Sequence, residues 1–277
     1  MINPKSLNLR LVATAVLLLC SGLHLPLSAC VELSGVPQEG ALLWGQVAPG
    51  TEVILDGVSL PVAPSGVFVF GFHRDAKALS TLQVIGSKSC VLELDVAGRE
   101  YNIQKVEGVP QRTVTPDPVH AARIKAEREL VYAAKANSHE QPLFTGGFIW
   151  PLQGPITGVY GSQRVYNGVP KSPHYGVDVA APTGTVVRAP AAGKVVLTHD
   201  DMFFSGGTLI IDHGMRVSSS FLHLSKILVQ NGDWVSPGDP IAEVGATGRV
   251  TGPHLDWRMN WRNSRVDPQL LVAPMSP

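Results

Sequence analysis

Short apolar runs recur along this chain about every ten residues, and glycine or proline closes nearly every one of them. VILDGVSLPV places Asp56-Gly57 between two such runs, a strong hairpin signal. VAPSGVFVFGF repeats the theme with Ser65-Gly66, and TLQVI and CVLELDV follow. The pattern resumes in TGTVVRAP, GKVVLTH, GTLIIDHG, SSFLHLS and DPIAEVG. With 28 glycines and 22 prolines to make the turns, the expected class is mainly β.

Four segments follow from the pattern. Residues 1–29 read as an export signal: Lys5 and Arg10 precede LVATAVLLLC, and small residues close the stretch. Pro26 and His24 interrupt the run before the ~20 apolar residues of a membrane span. Residues 30–105 read as a small all-β domain of sandwich type, without a cluster of His, Asp or Cys. Residues 106–145 are a connector in which Pro110, Pro116 and Pro118 break regular structure before a helix over about 118–137. In that helix Asp117 is the expected N-cap and Pro118 the first helical residue. Ile124 and Val131 share a face, and Arg123, Lys125, Glu127 and Glu129 are read as solvated, which makes a spacer or docking helix. Residues 146–277 form a second, antiparallel β domain.

Cys20 falls in the signal. Leu27-Ser28-Ala29-Cys30 admits two outcomes: lipidation of Cys30, with outer-membrane attachment, or cleavage before it and a disulfide to Cys90. Both place the protein outside the cytoplasm, in the periplasm or cell envelope. Lys+Arg and Asp+Glu are each 22, so there is no basic field to attract nucleic acid or an anionic membrane surface.

Chemistry concentrates in the last segment. In SPHYGVDVAAPTG, His174 and Asp178 share one face by strand periodicity, and Gly176 between them lets the backbone bend. In SSFLHLS, His223 lies between Leu222 and Leu224, where a core histidine is the default. In TGPHLDW, His254 and Asp256 share a strand face roughly 6.5–7 Å apart.

HYGVD, FLHLS and GPHLD, in this order, resemble the signature segments of the LytM/lysostaphin zinc endopeptidases: His-x3-Asp, a lone His before Leu, and His-x-His. The flanks APTGTVVRAPAAGKVV, GGTLIIDHG and VSPGDPIAEVGATGRVTGPH agree, so the resemblance covers about 125 residues and leaves the first 145 untouched. It implies a LytM-like antiparallel β-sandwich or barrel-sandwich hybrid that hydrolyses peptide cross-links or stem peptides of peptidoglycan. His174 and Asp178 become metal ligands, and His223 and His254 the catalytic histidines. The third ligand position holds Asp256 where the family has histidine. Aspartate is a competent zinc ligand, but the extra negative charge weakens Lewis acidity and makes Mn²⁺ or Fe²⁺ more competitive with Zn²⁺. Tyr160 and Arg164, in GVYGSQRVYNG with Asn167, become possible substrate contacts.

For the remaining candidates the blander reading is preferred. His213 is assigned to a turn, Asp200 and Asp201 to a solvated loop, and Trp257 and Trp261, around Arg258, to the core. The alternative to a hydrolase is a non-catalytic LytM-like module that binds the wall or activates another hydrolase; retention of both histidines favours the enzyme. A biotin- or lipoyl-carrier hairpin is excluded, because no lysine lies between Ile227 and the end of the chain. Protein partners and the bond cut are not legible.

Overall fold

The structure is a computed structural model that describes residues 31–107 and 118–275. The export segment, Cys20, Cys30, Asp117 and the prolines at 110 and 116 lie outside these residues. The chain is mainly β.

The N-terminal part comprises β1 (Leu42–Gln46), β2 (Glu52–Leu55), β3 (Val58–Leu60), β4 (Val67–Gly71), β5 (Leu79–Ile85), β6 (Cys90–Asp95) and β7 (Ile103–Val106). The Asp56-Gly57 turn joins β2 to β3, with Asp56 at φ 50° and Gly57 at φ 79°. Such angles suit a tight two-residue hairpin and only Asn, Asp or Gly adopt them cheaply. Strands β3-β2-β5-β6 form one sheet and β1-β4 another. Phe68 and Phe70 of β4 are fully buried between them. Cys90, the first residue of β6, is disulfide-bonded.

A 3-10 turn at Pro118–His120 leads into the helix α1 (Ala121–Ala136). Val131 and Ala134 pack on Leu197, Met202 and Ile210 of the second domain. Arg123, Lys125 and Glu129 are exposed as the sequence implied, and only Glu127 is largely covered. Arg123 donates to the Asp201 carboxylate at 3.0 Å, and Glu127 accepts from the Phe203 amide at 2.8 Å. α1 is therefore docked along its length.

The second domain holds β8 (Ile156–Gly158), β9 (Gln163–Tyr166), β10 (Val169–Pro170), β11 (Val177–Ala180), β12 (Val186–Arg188) and β13 (Gly193–Met202). It continues with β14 (Gly206–Gly214), β15 (Val217–Leu224), β16 (Lys226–Ile227), β17 (Trp234–Val235), β18 (Pro240–Glu243), β19 (His254–Trp261) and β20 (Ser264–Val266). The main antiparallel sheet runs β17-β13-β14-β15-β19-β11-β8, with β20 on β19, and a small sheet β12-β18-β16 packs beside it. Asp200 and Asp201 end strand β13 rather than sitting in a loop.

Alternation sets the two faces of the main sheet. Val177, Val179, Phe221, Leu255, Trp257 and Met259 are fully buried on the core face. Asp178, Ser218, Ser220, Asp256, Arg258 and Asn260 share the opposite face by register. One core runs through both domains, from Val31 to Val266. The domains are further tied by Arg99 to the buried Asp267 at 2.8 Å, and by the Asp267 amide to the Gly40 carbonyl at 2.7 Å. β7 pairs in parallel with β9, carrying the N-terminal part onto the β9-β10 hairpin.

His213 is no turn residue: it is fully buried, its Nδ1 against the Ala192 carbonyl at 2.7 Å and its Nε2 against the Ser219 hydroxyl. Burial pushes its pKa down to about 4 despite the carbonyl contact. The unfolded chain, near 6.5, therefore binds more protons between these values, and stability falls as pH drops through that window. The loss amounts to ~3 kcal/mol by pH 4. Thermal melts from pH 7 to 4 should show this fall, with a shallower slope in His213→Gln.

Candidate metal centre

The register of β11 against β19 sets Asp178 directly opposite Asp256 on the polar face. His174 does not lie on the strand itself. It precedes β11 in an extended segment, where its amide donates to the Ser162 carbonyl and its carbonyl accepts from Gly161, both at 2.8 Å. The chain then bends at Gly176, bringing the His174 Nε2 to 3.1 Å from Asp178 Oδ1 and 3.6 Å from Asp256 Oδ2. A Cβ on Gly176 would stand 2.5 Å from Asp256 Oδ1 and 2.7 Å from the Trp257 carbonyl. One on Gly158 would stand 2.2 Å from Asp178 Oδ2. Both glycines are bare so that the carboxylates can occupy that space.

The three residues fit a metal ion. One ligand atom from each of His174, Asp178 and Asp256 lies within 4.8 Å of the others. His174 Nε2 and Asp178 Oδ1 are buried 3.1 Å apart and have no hydrogen-bond partner outside the cluster. Buried polar atoms turned on one another in this way leave an ion as the partner that satisfies them together. Their separations match the ~3.3 Å expected between ligands on ~2.0–2.2 Å bonds to a tetrahedral ion. Burial disfavours charge on His174, but hydrogen bonding and attraction from Asp178 and Asp256 override it and raise its pKa to about 10.

Two further histidines flank the cluster. His254 opens β19, its Nε2 at 3.8 Å from Asp178 Oδ1. The His223 and His254 rings are 4.9 Å apart between centroids. His223 is where strand alternation fails. Phe221 and Leu224 both join the main core cluster while Leu222, though buried, does not, so the facing of side chains shifts between them. The shift is a left-handed backbone at His223, φ 65°. A non-glycine residue there costs of order 1–3 kcal/mol, held in place by the surrounding packing. It turns the ring from the core toward His254.

Each histidine presents Nε2 to the centre because Nδ1 lies against a carbonyl: Val159 at 3.3 Å for His174, Thr247 at 2.9 Å for His223 and Gly252 at 2.9 Å for His254. Such a contact fixes both tautomer and ring orientation. The Thr247 loop is itself pinned, its hydroxyl donating to the Leu224 carbonyl and accepting from the Gly207 amide, both at 2.9 Å. Burial holds the His223 pKa below its ordinary value, keeping the ring neutral at pH 7.

Arg258 is the residue that motif reading missed. Its Nε donates to Asp256 Oδ1 at 2.9 Å and Oδ2 at 3.0 Å, and its Nη2 also reaches Oδ2. Burial opposes ionisation of Asp256, yet Arg258 and His174 hold the carboxyl well below the usual range. The extra negative charge of a His/Asp/Asp set is thus offset by a guanidinium two residues along the strand. Alternation was the available signal, since positions 256 and 258 share a face.

Tyr160 requires a correction. It is buried and donates its hydroxyl to the Arg265 carbonyl at 2.8 Å, so it packs rather than meeting substrate. Arg164 is exposed on β9, donating to Gln104 at 3.3 Å and lying 3.5 Å from the Tyr166 hydroxyl. Trp257 and Trp261 are core.

A sheet that presents one histidine and two carboxylates beside a histidine pair is a candidate metal centre. Residues 172–268 match peptidase family M23, and the chain carries a domain of that family. It is similar to the peptidoglycan DD-endopeptidases ShyB and ShyA of Vibrio cholerae. With ShyB it is 38% identical over 132 residues, 48% of this chain and 28% of that protein. With ShyA it is 42% identical over 105 residues, 38% of this chain and 24% of that protein. The chain thus spans about a quarter of the length of these relatives. A candidate M23 peptidase of known structure from Pseudomonas aeruginosa is 29% identical, with TM-score 0.63, over 84% of this chain and 93% of its own.

Two outcomes follow for the centre. Purified protein incubated with Zn²⁺ should retain close to one ion per chain by elemental analysis, and Asp256→Ala should lose it. Gly176→Ala should lower metal retention and cost ~1–3 kcal/mol in denaturant unfolding, because its methyl displaces Asp256.

Proposed function

We propose that the chain is an exported, zinc-dependent endopeptidase that hydrolyses peptide bonds of bacterial peptidoglycan, with His174, Asp178 and Asp256 holding the ion. The observation that carries this reading is the convergence of those three residues beside a histidine pair whose Nε2 atoms are kept free. A Zn²⁺ held there would supply Lewis acidity toward a scissile amide carbonyl and lower the pKa of a bound water. Mn²⁺ and Fe²⁺ remain competitors because two ligands are carboxylates, although Arg258 returns the net charge to that of a His/Asp/His set.

The chain's own groups do the rest. His223, neutral and oriented by the Thr247 carbonyl, is suited to accept a proton at Nε2 and pass it to the leaving amine. His254, whose Nδ1 proton is held by the Gly252 carbonyl, can donate from Nε2 to the oxygen on which negative charge develops when the ring carries its second proton. The left-handed backbone at His223 is strain spent on bringing these rings together. Arg164, exposed on β9, is retained as a substrate contact.

Export to the periplasm or cell envelope belongs to the same reading and rests on the N-terminal sequence. A wall-binding or activator module is the second reading, and closure of Arg258 on Asp256 is the observation in its favour. Retention of both histidines in oriented form weighs against it.

Zinc-loaded protein incubated with cross-linked muropeptides should release new amino termini, measured by chromatography of the products. His223→Ala and His254→Ala should each slow release by ~10²–10⁴-fold while retaining metal. Release at the wild-type rate in both variants, or none from the wild type, would count against the enzyme and for the module.

A further inference from the structure

The polar face of the main sheet continues past the metal ligands into a second cluster whose charges do not balance. Arg258 and Asn260 follow Asp256 on β19, and their partners across on β15 are Ser220 and Ser218. Helix α1 closes over this end. Lys135, in its last turn, donates to Asn260 Oδ1 at 2.8 Å. Arg265 of β20 donates to the same oxygen at 3.2 Å. Two cations therefore converge on one neutral acceptor, with Arg258 as a third nearby.

Among the described residues the only carboxylate matched to any of them is Asp256, on Arg258. Among the described residues no carboxylate lies within ion-pair distance of Lys135 or Arg265. Asp212, opposite Ser218 on β14, is engaged by the Ser138 hydroxyl at 2.7 Å and the His139 amide at 3.1 Å. The C-terminal end of α1 offsets part of the charge on Lys135 and none of that on Arg265. Ser218 and Ser220 add two hydroxyls that are buried and have no hydrogen-bond partner. Facing cations and orphaned hydroxyls are both unfavourable unless an anion joins them.

We propose that Lys135, Arg265, Ser218 and Ser220 form a subsite for a carboxylate of an acidic peptide substrate. The cations supply charge-assisted hydrogen bonds and the serines supply neutral donors. Asn260 lies four residues along β19 from Asp256, so the carboxylate sits ~13 Å from the metal ligands. That is about four residues of extended peptide from the bond to be cut. Burial, with Arg265 and Arg258 facing it, pushes the Lys135 ammonium well below its usual range, and a carboxylate bound beside it would favour the charged form again. The proposal rests on the peptidase reading, because the peptide must lie along the same sheet face from one cluster to the other.

The test uses the full chain with Zn²⁺ and the His223→Ala substitution, so that peptide is bound and not consumed. Calorimetry compares a cross-linked stem peptide bearing free carboxylates with the same peptide amidated. The free form should bind about tenfold or more tightly. Lys135→Gln, which keeps a donor for Asn260 and removes the charge, should abolish most of that preference, as should Arg265→Gln. The melting temperature of Lys135→Gln should hold or rise, because facing charges are relieved. Equal binding of the two peptides, or a preference intact in both variants, overturns the subsite. So does a fall in melting temperature with the preference retained, the mark of a structural lysine. Muropeptide release by the otherwise native chain is followed in parallel. A preference without any release defeats the peptidase reading and leaves the subsite; release without a preference does the reverse.

Discussion

The pairing of β11 with β19 sets the rest of the site. Residues directly opposite in an antiparallel pair have Cβ atoms about 4.5–5.5 Å apart. Asp178 opposite Asp256 therefore forces two carboxylates together on the polar face of the sheet. Alone, such a pair repels, and one member would be driven to protonate. Here His174 and Arg258 approach from either side, and glycines at 158 and 176 leave room for the side chains. A one-residue slip of β11 against β19 would turn Asp178 into the core and Val177 and Val179 out of it. The apolar face, with Val177, Val179, Leu255 and Trp257 fully buried, forbids that slip. The core thus fixes the chemistry through the period of the strand.

Residues with chemical identity and a fixed period were readable in the sequence; those whose role depends on backbone exceptions or on partners far along the chain were not. His254 and Asp256 follow strand alternation and lie where it places them. His223 violates it, and nothing in SSFLHLS announces a left-handed residue. Its assignment to the site came from resemblance alone. Arg258 obeys alternation, but it lies outside the motif segments, and its role shows only in its contact with Asp256. Tyr160 and His213 show the opposite error. Both are polar residues satisfied inside the fold, by Arg265 and by Ala192 and Ser219, across sequence separations that no local pattern reveals. The mainly β class was legible because turns and apolar runs are local. The docking of α1 on Asp201 and Phe203 was not, since it depends on which strand ends lie beneath the helix.

The N-terminal part is more than an appendage to this site. Arg74 is buried, stacks on the Tyr101 ring and donates to the Gly161 carbonyl at 3.0 Å. The Gly161 amide in turn donates to the carbonyl of His174. A path of hydrogen bonds therefore runs from the first domain to His174, the proposed metal ligand. Together with β7 on β9, it fastens the segment whose position sets the direction of the His174 ring. On the other side, α1 lies over the far end of the same polar face. The segments that resemble no peptidase motif thus frame the centre at both ends.

The central claim is that Asp256 serves as a metal ligand while still bonded to Arg258. Anomalous diffraction from crystals of the zinc-loaded chain tests it most directly. The expected result is one ion ~2.0–2.2 Å from His174 Nε2 and from an oxygen of each of Asp178 and Asp256. Arg258 should remain on Asp256, hydrogen-bonded to the oxygen turned away from the ion. An ion bound elsewhere, or one held by His174 and Asp178 with both Asp256 oxygens kept by Arg258, would contradict the account.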